Sequence, residues 1–499
     1  MADRWTLPRL LERAGNEFGA AEALVDGDVR WTFADLIENV RRAAAAMIAD
    51  GVEPGDRVAV WAPNGRDWVM AALGAVSVGA VLVPVSTRYR STEAQWIMRK
   101  SGASVLIVQN GFLGNDYLGM LNGADLPQLR TTVTFNDDWT EFLDRGTDID
   151  VAERWKNVRP DDLCDMFFTS GTTGLAKGVM AAHDQTIRAT KAWCDGVGLL
   201  REDRYLVTNP MFHTFGYKAG ILAGLVRGAA LVSVPVFDVD EVLTLIERER
   251  ITVYPGPPTV YVSLLDHPER TRKDLSTLRL AVTGATVVPV ALVERMRAEL
   301  LPTVIVAYGL TETCGMVSIC DPGSPAEVLS STVGKPIPGT EVMIRAPEGE
   351  VMVRGFTVMQ GYFEDETATG QAITADGWLH TGDIGTLRPD GNLRITDRLK
   401  DMYTAGGFNV YPAEVEQVIA TMEEVAEVAV IGTPDYRLGE VGKAFVVPRP
   451  GHQNLDADEI IAYCRDRLAG YKVPVSVTIT AELPKNAAGK VIKDVLRSG

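Results

Sequence analysis

Cysteine and histidine are both scarce, five of each in 499 residues. The cysteines (Cys164, Cys194, Cys314, Cys320 and Cys464) are odd in number, widely scattered and without metal-ligand spacing. That argues against a disulfide scaffold or a cysteine zinc centre and fits a reducing compartment, the cytoplasm. Five histidines leave little room for a multi-histidine metal centre. Net positive charge is missing too. Lys and Arg number 49 against 66 Asp and Glu, a formal charge of −17, so broad binding to nucleic acid or anionic membrane is not expected. A small anionic ligand stays open, because a phosphate needs only local donors. Nor is there an uninterrupted apolar run of membrane-spanning length. The nearest approach, residues 68–85, is broken by Gly74, Ser77, Gly79 and Pro84 and reads as a buried helix followed by a strand. The start, MADRWTLPRL, has no apolar stretch of signal-peptide length. The expectation is a protein not integral to a membrane.

What is present is a globular composition, 46% apolar and 23% charged, in a chain long enough for two or three domains. Thr32 and Asp35 form a variant capping box ahead of Leu36, Val40, Ala43, Met47 and Ile48, and Gly51 closes that helix. Strands are expected at 57–61 and 81–85, with a helix between them running to about Val78. The same grammar returns as helix 219–226 then strand 230–234, and as helix 239–248 then strand 252–254, with Asp238 as the cap of the second helix. Such alternation implies parallel sheets covered by helices on both faces, an α/β class. After Val333 the texture changes to short strands and turns: strands at 341–344, 351–354 and 393–395, with turns at Pro347 to Gly349 and Pro389-Asp390-Gly391. Beyond Arg398 the pattern is a small α+β unit: helix 412–421, strands 425–431 and 443–448, helix 455–468. The expected domains are 1–397, with a β-rich part at about 333–397, and 398–499.

The most informative string is Thr169-Ser170-Gly171-Thr172-Thr173-Gly174-Leu175-Ala176-Lys177-Gly178, which follows the apolar strand Met166-Phe167-Phe168. Its glycines admit close backbone approach, its hydroxyls supply donors, and Lys177 adds a point charge, the materials for holding a polyphosphate. The spacing is not the Walker pattern.

This string resembles the phosphate loop of the adenylate-forming superfamily of acyl-CoA synthetases, luciferases and peptide-synthetase adenylation domains, with Ala176 where a proline is usual. Further motifs follow in that family's order over almost the whole chain. Tyr308-Gly309-Leu310-Thr311-Glu312 resembles the segment that closes over the nucleotide, which implies Thr311 at the α-phosphate and Glu312 as the Mg2+ ligand. Gly284-Ala285-Thr286 is similar to the loop against adenine, and Thr381-Gly382-Asp383 to the ribose-binding turn. Asp397-Arg398-Leu399-Lys400-Asp401 resembles the interdomain linker, with Arg398 toward the ribose and Lys400 at the hinge of a mobile C-terminal domain. Gly406-Gly407-Phe408-Asn409 resembles the segment lining the pantetheine tunnel. Pro484-Lys485-Asn486-Ala487-Ala488-Gly489-Lys490 resembles the loop carrying the catalytic lysine, Lys490. A lysine there offsets the repulsion between a carboxylate and the α-phosphate it attacks. Asn209-Pro210-Met211-Phe212-His213-Thr214-Phe215-Gly216 resembles the segment bordering the acyl carboxylate, with His213 as its gate.

The resemblance implies an enzyme that activates a carboxylic acid with ATP and Mg2+ as an acyl-adenylate and passes the acyl group to a thiol. The 209–216 segment holds no acidic partner for a substrate amine, and no carrier domain follows Lys490, so CoA is the expected acceptor. Phe215-Gly216-Tyr217-Lys218-Ala219-Gly220-Ile221-Leu222-Ala223, Pro255-Gly256-Pro257-Pro258-Thr259 and Lys400-Asp401-Met402-Tyr403 resemble bacterial ligases of steroid catabolism acting on a bicyclic diketo-propanoate. On that reading Lys218, in an otherwise apolar helix, could face a ring ketone. A medium- or long-chain fatty acid ligase is the alternative within the class. A nucleotide-binding protein without turnover is the alternative outside it, and the intact Thr311, Glu312, Asp383, Arg398 and Lys490 speak against it. The sequence is compatible with a homo-oligomer and does not report one.

Overall fold

The computed structural model describes residues 4–169, 175–284, 288–405, 408–468, 470–486 and 489–498. The chain divides into two compact units, Met1–Glu341 with Val353–Leu379, and Val342–Met352 with His380–Gly499.

Two largely parallel sheets build the first unit. One has seven strands in the order Gly361–Tyr362, Lys177–Ala182, Leu163–Thr169, Val81–Pro84, Arg57–Trp61, Val105–Val108, Thr131–Thr134. The other has nine, and its central run is Thr303–Tyr308, Leu280–Gly284, Val253–Pro255, Arg204–Val207, Ala230–Ser233, Glu22–Asp26. Every neighbouring pair in that run is parallel. The strands are short and buried on both faces, as Val58, Val60, Leu82, Leu106 and Ile107 illustrate. The helix Phe33–Ala49 carries the capping box read from Thr32 and Asp35, with both reciprocal bonds formed. The 68–85 run is a buried helix, Arg66–Ser77, and the strand Val81–Pro84. Among the described residues no helix is long and apolar enough to cross a membrane. Asp238 caps Val239–Glu249 by accepting the Glu241 N–H at 2.9 Å.

One expected helix departs from its pattern. Residues 217–222 form a π-helical turn, Tyr217–Leu222, that passes into the α-helix Ala223–Arg227. Wide turns of this kind are rare and concentrate near functional sites.

The second unit contains a four-stranded sheet in the order Thr340–Arg345, Glu350–Gly355, Leu379–Leu387, Leu393–Arg398, whose outer ends extend past the division. Beside it stands a five-stranded sheet around the long hairpin Val425–Asp435 and Gly439–Pro448. Its core is Tyr403, Val410, Val415, Ile419, Val430, Ala444, Val446, Ile460 and Cys464. The strand Ser476–Ile479, whose alternation Val475-Ser476-Val477-Thr478-Ile479 was not used in reading the sequence, pairs in parallel with the hairpin. The expected division at Asp397 and Arg398 falls inside this unit, at the end of Leu393–Arg398. There the Asp397 carboxylate accepts the Arg398 N–H at 2.7 Å and the Ala413 N–H at 2.9 Å, joining the sheet to the helix Pro412–Ile419. All five cysteines are free thiols and all are buried.

Candidate active site

Parallel sheets present ligands at the carboxyl ends of their strands. In the first unit three such ends matter: Thr169 in one sheet, Gly284 and Tyr308 in the other. Gly284 is in register with Ala307, so the expected adenine loop starts beside the 308–312 motif. Ala285 and Thr286 lie outside the described residues. At Gly309 the chain folds back so tightly that a β-carbon would overlap the Gly315 carbonyl. The turn is closed by the Leu310 N–H to Thr313 Oγ1 at 2.9 Å and the Gly315 N–H to the Leu310 carbonyl at 2.8 Å.

That turn presents Glu312. Its Oε1 accepts the Thr169 hydroxyl from the other sheet at 3.2 Å and the Tyr362 hydroxyl at 3.2 Å. Thr169 and Lys177 face each other in antiparallel register, so the strands on either side of the phosphate string pair with one another. Ser170, Gly171, Thr172, Thr173 and Gly174 lie outside the described residues. The Lys177 ammonium stands 5.1 Å from the Tyr362 ring centroid, and Ala176, at the usual proline position, offers its carbonyl to Trp96 Nε1 at 2.8 Å. Burial first, and the Glu312 charge second, push the Tyr362 phenol well above its ordinary pKa, so it stays a donor. Tyr362 was not read from the sequence. Its signal is spatial, a two-residue strand beside Lys177–Ala182.

The 209–216 segment leaves the strand Arg204–Val207 and is clamped by Asn64, which sequence reading also missed. Asn64 donates to the Asn209 carbonyl at 3.0 Å and accepts the Met211 N–H at 2.7 Å. Gln and Asn clamps of this kind leave no periodic trace. His213 Nδ1 accepts the Phe215 N–H at 3.2 Å, which puts the neutral ring's proton on Nε2. The ring keeps contact with solvent, yet the protein packed around it disfavours the imidazolium and lowers its pKa. A β-carbon at Gly315 would meet Thr214 Oγ1 at 3.4 Å, so this segment lies against the Glu312 turn.

Lys218 does not face an open pocket. Its side chain is 5% exposed and its Nζ lies 2.9 Å from Asp165 Oδ1. A buried ammonium needs a counter-charge, and Asp165 supplies it. The ketone-facing role is therefore withdrawn.

In the second unit Thr381-Gly382-Asp383 is not an isolated turn but part of the strand Leu379–Leu387, bent at Gly382, whose φ is +69°. Thr381 Oγ1 donates to the Val351 carbonyl at 2.6 Å, and buried Glu350 accepts the Gly382 N–H at 3.2 Å. Asp383 is in register with Arg398, whose Nε meets Asp383 Oδ1 at 2.6 Å. Lys490 belongs to the same electrostatic group. Its loop is closed by the Lys490 N–H to Asn486 Oδ1 at 2.9 Å, and its side chain reaches solvent. Desolvation by surrounding protein, then the Arg398 cation, lower its pKa to about 8, while Asp383 and Asp401 act in the opposite direction. Lys400 pairs loosely with Asp494 at 3.8 Å. Gly406 and Gly407 lie outside the described residues.

A surface cavity of about 370 Å³ lined by Arg57, Lys100, Gln128 and Phe363 shares no residue with these groups. Its cations are already bonded, Arg57 to the Ser101 and Gly102 carbonyls and Lys100 to the Glu364 carbonyl.

A family described as AMP-binding enzyme matches residues 11–363, and one described as AMP-binding enzyme C-terminal domain matches residues 414–490. The chain belongs to the AMP-binding enzyme family. It is 53% identical over 503 residues to a 7a-methyl-1,5-dioxo-octahydro-indenyl propanoyl:CoA ligase of Mycobacterium tuberculosis, with 99% of each chain covered. Identity to the ligase of the same name from Rhodococcus jostii is 50% over 508 residues, covering 99% of this chain and 98% of that one. Among solved structures, the anthranilate CoA ligase AuaEII in complex with anthranoyl-AMP aligns with a TM-score of 0.89 at 28% identity, over 100% of this chain and 98% of that one. The Bacillus subtilis o-succinylbenzoate CoA synthetase MenE, in complex with ATP and magnesium ion, aligns with a TM-score of 0.85 at 29% identity, over 97% and 98%. Within the AMP-binding enzymes the chain is an acyl-CoA ligase, a class that uses ATP, Mg2+ and CoA.

The residues fit Mg2+. Glu312 offers a hard oxygen donor, and this ion takes one or two protein carboxylates and completes its shell with phosphate and water.

Proposed function

We propose that this acyl-CoA ligase acts on a bicyclic dioxo-indanyl propanoate, the kind of carboxylic acid left when steroid rings are degraded, and that it does so in the cytoplasm. The choice of acid rests on full-length similarity, 53% and 50%, to two ligases whose names carry that acyl group. The chemistry rests on one observation: the Glu312 turn, the end of the strand before the phosphate loop and the 209–216 segment meet at one place in the first unit.

In this reading the donors of Thr169 to Gly174 and the Lys177 ammonium hold the ATP phosphates. Thr311 contacts the α-phosphate and Glu312 holds Mg2+, which when bound offsets charge on the departing pyrophosphate. Gly284, Ala285, Thr286, Tyr308 and Gly309 border the base. Asp383, with two acceptor oxygens, takes the ribose hydroxyls and is oriented by Arg398. His213 borders the acyl carboxylate, with Nε2–H as its donor. Lys490 lies between carboxylate and α-phosphate, where its charge lowers the barrier to their approach. Oxygen–phosphorus bond formation releases pyrophosphate. The CoA thiol then attacks the acyl carbon and AMP leaves. The Gly406-Gly407 segment borders the pantetheine arm of CoA in this second step.

The test is thioester formation by the full chain with ATP, Mg2+ and CoA across a panel of acids. The expected result is a clear preference for the bicyclic dioxo-propanoate over linear fatty acids and aromatic acids. Preference for linear acids would keep the ligase and overturn the substrate. Absence of acid-dependent AMP formation with every acid would overturn the reaction.

A further inference from the structure

The buried pair at Lys218 has no part in the mechanism above, and its surroundings explain why it is there. Three segments meet on it. Asp165 lies on the strand Leu163–Thr169 that runs into the phosphate hairpin, Thr186 on the helix His183–Val197, and Lys218 on the π-helical turn that follows the 209–216 segment. Lys218 Nζ donates to Thr186 Oγ1 at 3.1 Å, and the Thr186 hydroxyl donates to Asp165 Oδ2 at 2.9 Å, so both carboxylate oxygens are used. The Phe167 ring centroid stands 5.6 Å from the ammonium. Cys314, two residues beyond Glu312, lies close enough to interact with the same charge. Burial opposes the ammonium, but Asp165, together with the neighbouring Cys314 and Cys164, outweighs it and raises the Lys218 pKa.

A buried ion pair is a weak source of stability, because apolar residues of the same volume are often as good or better there. What charge adds is direction. A greasy contact can slide, whereas three directed contacts, from two donor groups to three acceptor oxygens, close a triangle that defines one register. The π turn needs such a definition, since its wide hydrogen-bond ring is a poor intrinsic minimum. Other braces act on the same turn: Tyr205 Oη donates to the Ala219 carbonyl at 2.6 Å and Cys194 Sγ lies 3.8 Å from the Ala223 carbonyl.

We infer that Lys218 is a positioning residue for the acid: its closed triangle with Asp165 and Thr186 sets the register of the π turn, and so of His213 and Thr214, against the strand that enters the phosphate hairpin. The inference rests on the proposed ligase reading of that site. Misplacing the carboxylate by about 1 Å is enough to cost a large rate factor, so the effect falls on use of the acid and leaves ATP binding intact.

The experiment compares the full-length wild type with Lys218→Met, Lys218→Arg and the double variant Lys218→Met/Asp165→Leu. Thermal stability, the KM for acid and for ATP in pyrophosphate release, and hydrogen exchange of the 211–222 backbone are measured on each. Lys218→Met is expected to lose stability, because it strands the Asp165 charge. The double variant regains stability, yet keeps an acid KM raised by about tenfold or more with the ATP KM within about twofold, and exchanges faster over 211–222. Lys218→Arg, which keeps the charge, lies between wild type and Lys218→Met. Recovery of the acid KM together with stability in the double variant would reduce the pair to a structural contact and overturn the inference. Absence of acid-dependent pyrophosphate release in the wild type would sink the ligase reading instead. In that event unchanged exchange over 211–222 in the double variant still overturns the positioning role.

Discussion

Two lysines, one in each unit, are surrounded by protein and respond in opposite ways. Lys218 is enclosed in the core with a carboxylate at 2.9 Å, and its pKa rises. Lys490 keeps contact with solvent, has Arg398 and Lys400 as charged neighbours beside Asp383 and Asp401, and its pKa falls to about 8. Burial alone therefore does not set the direction. At Lys218 a contacting carboxylate helps to outweigh desolvation, whereas at Lys490 desolvation, with Arg398 and Lys400, outweighs Asp383 and Asp401. A lysine that has met its counter-ion is committed, whereas one whose charge is not fully offset is ready to meet an anion that arrives.

The largest break in this comparison is expected at Lys490. Lys490→Ala should lower acid-dependent pyrophosphate release by about 100- to 1,000-fold, the scale of removing one preorganised charge from a transition state. Thioester formation from a supplied acyl-adenylate should change far less, and single-turnover assays of the two halves separate these. Lys218→Met should show the reverse balance, a loss of stability of about 3–5 kcal/mol from an uncompensated buried carboxylate, read by chemical denaturation. The third effect concerns pH. Lys490 carries its charge below about pH 8 and loses it above, so the adenylation rate should fall on the alkaline side of about 8. Arg398→Gln removes a repelling cation and frees Asp383 to attract, so the Lys490 pKa rises and the alkaline limb moves to higher pH, even as activity drops. An unmoved limb would assign it to another group. The smallest effect belongs to Tyr362→Phe. Losing one of two hydroxyls on Glu312 costs about 1 kcal/mol, a few-fold loss in kcat/KM with Mg2+ dependence shifted to higher concentration.

The two units were unequally legible. In the first, periodicity and capping found part of the fold: Thr32 and Asp35 announced a helix that forms with both cap bonds, and the 68–85 run resolved into a helix and strand, but the buried strands Val105–Val108, Arg204–Val207 and Thr303–Tyr308 were not read. Such local signals work because the elements satisfy themselves before they pack. In the second, Thr381-Gly382-Asp383 was readable as a motif but not as a strand, because Gly382 in a left-handed conformation breaks the alternation that marks one. Ser476–Ile479 was missed although Val475-Ser476-Val477-Thr478-Ile479-Thr480 alternates as a strand should. It forms against the hairpin beside it. At the site, motif residues were found and their supports were not. Tyr362, Asn64 and Glu350 act across the fold, and a hydrogen bond between distant positions leaves no spacing to detect. Lys218 shows a different gap: an isolated charge in an apolar stretch suggested a ketone contact or solvent, when its partner lay on a strand 53 residues earlier in the chain (218 − 165).

The five buried thiols have a consequence for an enzyme that makes an acyl-adenylate. That intermediate is an electrophile, and any nucleophilic sulfur within reach would take the acyl group and keep it. Burial raises the pKa of each: Cys194 to about 12, Cys314, Cys320 and Cys464 to about 11, and Cys164 well above its ordinary value. A protonated, inaccessible thiol is a poor trap. The placement of the cysteines thus disfavours acylation of the enzyme's own thiols.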